Sequence, residues 1–188
     1  MESSALSAEL VSRAVLGERR ATDQLLRHLR PLVVKYCRAR VGRSATTADD
    51  VAQEVCLAVL TALPNYREQG RPFLAFVYGI AAHKVADAHR SLARNRAEPV
   101  AEVPDQAVRA GGPEEFVLQG ELNGTLGQLL HLLPDKQREI LVLRVVVGLS
   151  AEETADAVGS TPGAVRVAQH RALGRLRKEI ASLAVPIG

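Results

Sequence analysis

The residues best suited to binding chemistry lie near the C-terminus, in a stretch with helical periodicity between positions 161 and about 180. One face of this predicted helix is apolar and suited to packing, and it carries Val165, Ala168, Ala172, Leu173 and Leu176. The opposite face carries the candidate DNA contacts Arg166, Val167, His170, Arg171 and Arg175. Arginine can bond guanine through two hydrogen bonds in the major groove, and Val167 or His170 could contact a thymine methyl group or a phosphate. We expect this helix to bind duplex DNA.

Local signals make this helix the second one of a helix-turn-helix. Ser150 and Glu153 have the spacing of a capping box, so a short helix begins there. Gly159 ends that helix, and Thr161 followed by Pro162 begins the next one. Two helices joined by such a short turn form a helix-turn-helix. The alternative is a solvated basic helix, but residues 160–180 carry five basic side chains against one acidic, and charge, caps and turn coincide.

A second group of residues combines aromatic rings with positive charge. Four of the six aromatic residues in the chain fall between positions 66 and 78, beside several basic residues. Aromatic faces stack on unpaired bases while cations hold phosphates, so this group could bind single-stranded nucleic acid. Its candidate contacts are Tyr66, Arg71, Phe73, His83, Lys84 and Arg90. The alternative is that Phe73 and Phe76 are core residues, and for Phe76 we favour it.

Catalytic and metal-binding constellations are weak in this sequence. His83, Asp87 and His89 could ligate a metal, but on a helix residue 89 points away from the face that the other two share. Cys37 and Cys56 lie in apolar helical patterns without zinc-ribbon spacing, so buried free thiols are favoured over a redox pair. Neither a phosphate loop nor a nucleophile elbow occurs. We expect a protein that is not an enzyme and that needs no cofactor or metal.

Helices must position these residues, because apolar side chains recur at helical spacing through most of the chain. Strand alternation is confined to short runs such as Leu141–Val147. The predicted helices are Ser7–Leu16, Thr22–Val41, a third one from a capping box at Thr47 and Asp50 to just before Pro64, Phe73–Ala93, and one that follows Pro134. Pro31 should kink or interrupt the second helix. The expected fold class is all-α.

A linker interrupts the helical pattern between positions 94 and 115, where prolines and the pair Gly111 and Gly112 occur. Residues 98–121 carry six acidic side chains against the single Arg109, so this segment will not bind DNA and could be a solvated spacer. We expect two small helical domains, residues 1–93 and 116–188, joined by a flexible acidic linker at 94–115. With neither a signal peptide nor an apolar run long enough to span a bilayer, we expect a cytoplasmic protein without membrane insertion.

The third predicted helix separates polar from apolar side chains. Its packing side consists of Val51, Val55, Val59 and Leu63, and the opposite face presents Asp50, Gln53, Glu54 and Leu57. A face of this kind could bind a partner protein. It could equally be the solvent side of an ordinary amphipathic helix.

Two blocks of the sequence resemble the extracytoplasmic-function (group IV) sigma factors of the sigma-70 family. The stretch Leu133–Arg177 is similar to their fourth conserved region, and DVAQEVCL at 50–57 with IAAHKVAD at 80–87 is similar to the second region and the helix that follows it. RPFLAFVYGIAAHKVADAHR together with VVVGLSAEETA resembles, more narrowly, the actinobacterial sigma-D subgroup. The resemblance implies a factor that directs core RNA polymerase to promoters. The alternative is a stand-alone helix-turn-helix regulator, which would bind duplex DNA without polymerase.

The resemblance also implies a role for each group of residues. The polar face at 50–57 would dock on the clamp helices of the polymerase beta-prime subunit, and the second domain would contact the beta flap. The aromatic group would capture a flipped base of the minus-ten element, the helix-turn-helix would bind the minus-thirty-five element, and the acidic linker would thread the polymerase cleft. His83 stands where asparagine is usual and Phe76 where tryptophan is common, so the minus-ten preference stays open. An anti-sigma factor, which could be membrane-anchored, is the implied inhibitor.

Overall fold

The computed structural model describes residues 6–41, 45–67, 72–97 and 127–183, and every regular element in these ranges is helical. The N-terminal domain contains α1 (Ala8–Val15), α2 (Arg19–Val41), α3 (Ala45–Ala62), a 3-10 turn (Leu63–Asn65) and α4 (Phe73–Ala97). In the C-terminal domain, helical residues 127–131 precede α5 (Asp135–Leu141), a π helix (Val142–Val147), α6 (Ala151–Val158) and α7 (Pro162–Leu183). The predicted all-α fold class is confirmed.

The first two helices follow most of their sequence signals. Ser7 caps α1, because its Oγ accepts a hydrogen bond of 3.2 Å from the Leu10 backbone N–H. Helix α2 begins at Arg19 and runs through Pro31 to Val41, so Pro31 does not interrupt it. The exposed proline costs α2 a backbone hydrogen bond. Leu29 and Leu32, which flank it, are buried, and we attribute the continuity of the helix to that packing.

The next two helices have boundaries that the sequence did not predict. Helix α3 begins at Ala45, so Thr47 lies inside its first turn and does not begin the helix as predicted. Helix α4 continues to Ala97, so the expected linker boundary at 94 falls inside a helix. The rest of the predicted linker, including Gly111 and Gly112, lies outside the described residues.

The stretch 142–147, which alternates in sequence like a strand, is a π helix. The backbone N–H groups of Gly148 and Leu149 donate to the Leu143 carbonyl, at 3.1 and 2.9 Å. Gly148 adopts a φ of +88°, which side chains with a Cβ rarely adopt, and thereby ends the helix. Within the π helix, Val142 and Leu143 are both completely buried.

Arg138 connects the start of the C-terminal domain to α5. Its guanidinium donates to the carbonyl oxygens of Leu130 at 2.8 Å, His131 at 3.1 Å and Leu133 at 3.0 Å. These carbonyls belong to the end of the helical residues 127–131 and to the bend that follows. The Arg138 side chain therefore donates hydrogen bonds to carbonyl oxygens that have no donor within the helix at its C-terminal end.

The two domains pack directly against each other. Helix α2 contacts the π helix, and α4 contacts α6. One continuous apolar cluster includes Val33, Tyr36 and Tyr78 from the N-terminal domain with Leu130, Leu143 and Val147 from the C-terminal domain. Although the sequence predicts two domains separated by a linker, part of their apolar surface is shared in this structure.

Candidate nucleic-acid and polymerase interfaces

The helix-turn-helix is held by the local bonds that the sequence predicts. The Glu153 backbone N–H donates to Ser150 Oγ at 3.0 Å, and the Ser150 backbone N–H donates to the Glu153 carboxylate at 2.8 Å, so the capping box is complete. Gly159 ends α6 at a φ of +62°. Thr161 Oγ1 then accepts from the Ala164 backbone N–H at 3.2 Å, and α7 begins at Pro162. These bonds fix the angle at which α7 leaves the turn.

The buried and the exposed faces of α7 are those that the sequence predicts. Val165, Ala172 and Leu176 are buried, and Ala168 and Leu173 are partly buried against α5 and α6. The side chains predicted to contact DNA are all exposed: Arg166, Val167, His170, Arg171 and Arg175. Val167 is 51% exposed, which is high for an aliphatic residue and suits it to contact with a base methyl group.

Two polar contacts position α7, and the sequence reading missed both. Arg166 Nη2 donates to the Glu152 carboxylate of α6 at 2.7 Å. The pKa of Glu152 is lowered, first by a hydrogen bond from its own backbone amide and then by Arg166. On the other side, Arg144 of the π helix donates to Gln169 of α7 at 3.0 Å and to the Leu149 carbonyl. Neither pair has a sequence signal, because the partners lie 14 and 25 positions apart.

The predicted polar face of α3 is exposed in full. Asp50, Gln53, Glu54 and Leu57 point to solvent, and Leu57 is 57% exposed. The opposite face is buried, with Val51, Val55 and Val59 at most 5% exposed. An exposed leucine among acidic and amide side chains gives a partner protein one apolar anchor with polar surroundings.

The candidate minus-ten residues are divided between the surface and the core. His83 and Arg90 are exposed, and Lys84 is partly exposed. Phe73 is only 8% exposed, because its ring packs edge-on against Tyr66 with centroids 5.1 Å apart. Phe76 completes this cluster at 5.0 Å from Tyr66, and it is partly buried, in keeping with the core role favoured for it. Arg71 lies outside the described residues.

Two of these cationic side chains, Lys84 and Arg90, form ion pairs within the domain. Lys84 Nζ lies 3.2 Å from Glu54 Oε2, so a candidate DNA contact on α4 pairs with a candidate polymerase contact on α3. Arg90 pairs with Asp87 one turn earlier on the same helix. His89 contacts the Arg40 carbonyl oxygen through Nε2, at 2.9 Å. Among the described residues, no group of three or more His, Cys, Asp or Glu side chains is placed to hold a metal ion, so His83, Asp87 and His89 do not form such a site.

Both cysteines are free thiols. Burial raises the pKa of Cys37 to about 12, so this thiol stays protonated and unreactive at neutral pH.

Among the described helices, none is long and apolar enough to cross a membrane.

The arrangement defines a helical DNA-binding protein with a C-terminal helix-turn-helix and, in the N-terminal domain, an exposed polar face on α3. Residues 25–95 match Sigma-70 region 2, and residues 124–176 match Sigma-70, region 4. Over 174 residues the chain is 62% identical to the ECF RNA polymerase sigma factor SigD of Mycobacterium tuberculosis, which covers 91% of this chain and 82% of the relative. It is 53% identical to the ECF RNA polymerase sigma factor ShbA of Streptomyces griseus, over 89% of this chain and 92% of that one.

The chain belongs to the ECF sigma factors of the sigma-70 family, and it acts as an RNA polymerase sigma factor. The resemblance stated from the sequence, including the narrower one to the sigma-D subgroup, is confirmed. Among solved structures, CnrH in complex with the cytosolic domain of CnrY is similar with a TM-score of 0.70 at 25% identity, over 93% of this chain and 96% of that one. The sigma factor RpoE of Bartonella quintana, in complex with the anti-sigma factor NepR, shares the fold, with a TM-score of 0.61.

Proposed function

We propose that this sigma factor binds polymerase and promoter DNA through three surfaces of the described fold. The exposed face of α3, with Asp50, Gln53, Glu54 and Leu57, docks on the clamp helices of the beta-prime subunit. The exposed face of α7 binds the minus-thirty-five element through Arg166, Val167, His170, Arg171 and Arg175. The main observation behind this proposal is that α7 presents these five side chains to solvent. The complete capping box of α6 and the buried face of α7 hold the helix in place.

The third surface, the α3–α4 edge of the N-terminal domain, opens the minus-ten element. His83, Lys84 and Arg90 on α4 contact the strand backbone and bases, and Tyr66, which packs on Phe73 and Phe76 at the start of α4, supplies an aromatic surface. Phe73 supports Tyr66 from within the cluster, so its contribution is to hold that ring in place. Arg71 is included from the sequence resemblance.

The remaining roles follow from the family. The chain itself catalyses no reaction, since it supplies recognition to a polymerase that carries the chemistry. It acts where polymerase and promoter are, in the cytoplasm. The chain up to the end of α4 and the C-terminal part from about residue 116 form the two working domains, the acidic segment between them threads the polymerase cleft, and the second domain contacts the beta flap. Because CnrH was solved in complex with the cytosolic domain of CnrY, and the Bartonella factor with the anti-sigma factor NepR, we propose an anti-sigma factor here as well, which could be membrane-anchored.

Run-off transcription with purified core polymerase tests the proposal. The chain plus core enzyme should initiate from a promoter that carries both elements, and neither component alone should do so. Scrambling the minus-thirty-five element should abolish the product. A chain that binds the same duplex tightly without polymerase and gives no transcript would instead be acting as a stand-alone regulator.

A further inference from the structure

We propose that the exposed basic face of α2 is a further DNA-binding surface, which holds the phosphate backbone of the duplex beside the minus-ten element without reading its sequence. The proposal rests on the proposed function, because it places this face next to the minus-ten contacts of α4. None of its residues belongs to the three surfaces described above.

Helix α2 is strongly basic. Its 23 residues include seven basic side chains against a single acidic one, Asp23. Arg38 and Arg40 are held in ion pairs, with Asp49 and Glu139 respectively. The other five basic side chains are exposed and form no ion pair with any described residue: Arg19, Arg20, Arg27, Arg30 and Lys35. These five residues form the basic face of α2.

The basic face runs along one side of the helix. At about 3.6 residues per turn, its side chains fall within an arc of about 160°, opposite the buried Leu25, Leu29 and Leu32. From Arg19 to Lys35 the face is about 24 Å long, at about 1.5 Å per residue. This length equals about seven base pairs of duplex, at about 3.4 Å each. The face can therefore follow several phosphates of one strand.

Two of these charges work against the stability of the helix itself. Arg19 and Arg20 lie in the first turn of α2, where the helix dipole disfavours cations, and this turn contains no acidic residue. Glu18, just before them, forms an ion pair with Arg13. Charges that oppose local stability are typical of residues with a function outside the fold.

The positive charge is confined to one side of the N-terminal domain. Helix α3, which packs on α2, contains three acidic residues, Asp49, Asp50 and Glu54, and no basic one. The domain thus has a basic side at α2 and an acidic side at α3, where the polymerase contact is proposed. A DNA strand is attracted to the first side and repelled by the second.

The chemistry of the basic face fits DNA better than a protein partner. Among the described residues, the large apolar side chains that are exposed include none from α2. The exposed face of α3, in contrast, includes Leu57. Protein interfaces have an apolar core, whereas phosphate contacts need only hydrogen-bond donors such as arginine and lysine. Contacts of this kind position a protein on a duplex and carry no sequence information.

The position of α2 in the domain determines which DNA it can reach. Helix α2 packs on α4, which carries His83, Lys84 and Arg90, so both helices belong to one packed domain. The axes of packed helices lie about 8–10 Å apart. The duplex nearest to α2 is therefore the part that adjoins the minus-ten element, on its upstream or its downstream side.

The salt dependence of promoter binding by holoenzyme tests this surface. The variant Arg27→Gln, Arg30→Gln removes two exposed cations and inserts residues that favour helices. Each phosphate contact contributes about 0.9 to the slope of log K against log salt concentration, so the slope should become shallower by about two. At about 0.1 M salt, binding measured by fluorescence anisotropy should be about tenfold weaker or more, by the same factor on native and scrambled minus-thirty-five elements.

Two controls separate a local contact from a change in net charge. Arg27→Gln alone should make the slope shallower by about one, whereas Lys136→Gln, which removes an exposed cation from α5, should leave it unchanged. Asp23→Asn removes the one acidic side chain of α2 and should strengthen binding, with a steeper slope. A misfolded variant would not produce such a gain.

Promoters shortened on the upstream or the downstream side of the minus-ten element identify the flank that α2 contacts, because the slope difference should disappear with that flank. A difference that persists without both flanks would contradict the placement. Equal slopes for the wild type and the double variant would overturn the proposal. So would an unchanged slope with lower affinity for core polymerase in a pull-down, because the face would then bind protein. A wild-type holoenzyme that does not bind the promoter would count against the proposed function instead.

Discussion

Arg171 offers the sharpest test of promoter recognition, because its side chain is exposed on α7 and makes no ion pair with any described residue. Arg171→Ala should cost about 1–3 kcal/mol of binding free energy if the guanidinium reads a base. That loss corresponds to roughly 5- to 150-fold weaker binding of holoenzyme to its promoter. Folding should be unaffected, since the packed face of α7 lies on the opposite side, at Val165, Ala172 and Leu176.

The control for this test is Arg177→Ala. It removes the same charge from another exposed position of the same helix, so the two variants have equal net charge. We expect Arg177 to contact only phosphate. Removing such a contact should weaken binding equally on all sequences and reduce the slope of log K against log salt concentration by about one. Holoenzyme binding is measured by fluorescence anisotropy on a native promoter and on one with a scrambled minus-thirty-five element. The reasoning is refuted if Arg171→Ala loses the same factor on both duplexes, as Arg177→Ala should.

Four further outcomes are expected. The double variant Gln53→Ala, Glu54→Ala should keep its circular dichroism and lose affinity for core polymerase in a pull-down, and undiminished binding would contradict the docking face. Ser150→Ala should lower the free energy of unfolding by about 1 kcal/mol in urea, because it removes the acceptor of the Glu153 backbone N–H; Ser182→Ala, at the far end of α7, should not. Glu152→Gln should strengthen promoter binding in wild type but not in Arg166→Ala, since it releases only that arginine. A chain cut between Gly111 and Gly112 should fail to initiate transcription although its fragments stay folded, because tethering supplies an effective concentration of about a millimolar; full activity of the fragments at nanomolar concentration would refute this.

Features governed by neighbouring residues could be predicted from the sequence. The capping box at Ser150 and Glu153, the stop at Gly159 and the start at Pro162 each depend on contacts within four positions, and all three are present. The buried side of α3 was also predictable, because helical periodicity alone assigns Val51, Val55 and Val59 to one face.

Features governed by distant contacts could not be predicted in this way. Pro31 carries a local signal for interruption, yet α2 continues past it between buried leucines. The alternation at 141–147 suggests a strand, but the residues lie against α2 as a π helix. Glu139 has no motif at all, yet it accepts a hydrogen bond from Tyr36, which lies 103 positions away. The same limit applies to the site, where periodicity predicted which face of α7 is exposed but not that Glu152 holds one of its arginines.

The three carbonyl groups held by Arg138 have a mechanical consequence. The acidic segment precedes the helical residues 127–131 in the chain, and Arg138 ties the end of these residues to α5, which packs on α7. We therefore expect a pull on the segment to be transmitted through this guanidinium into a packed helical body. Shortening the segment by a few residues should displace the whole DNA-reading unit along the duplex, which would change the spacing that the factor prefers between its two promoter elements.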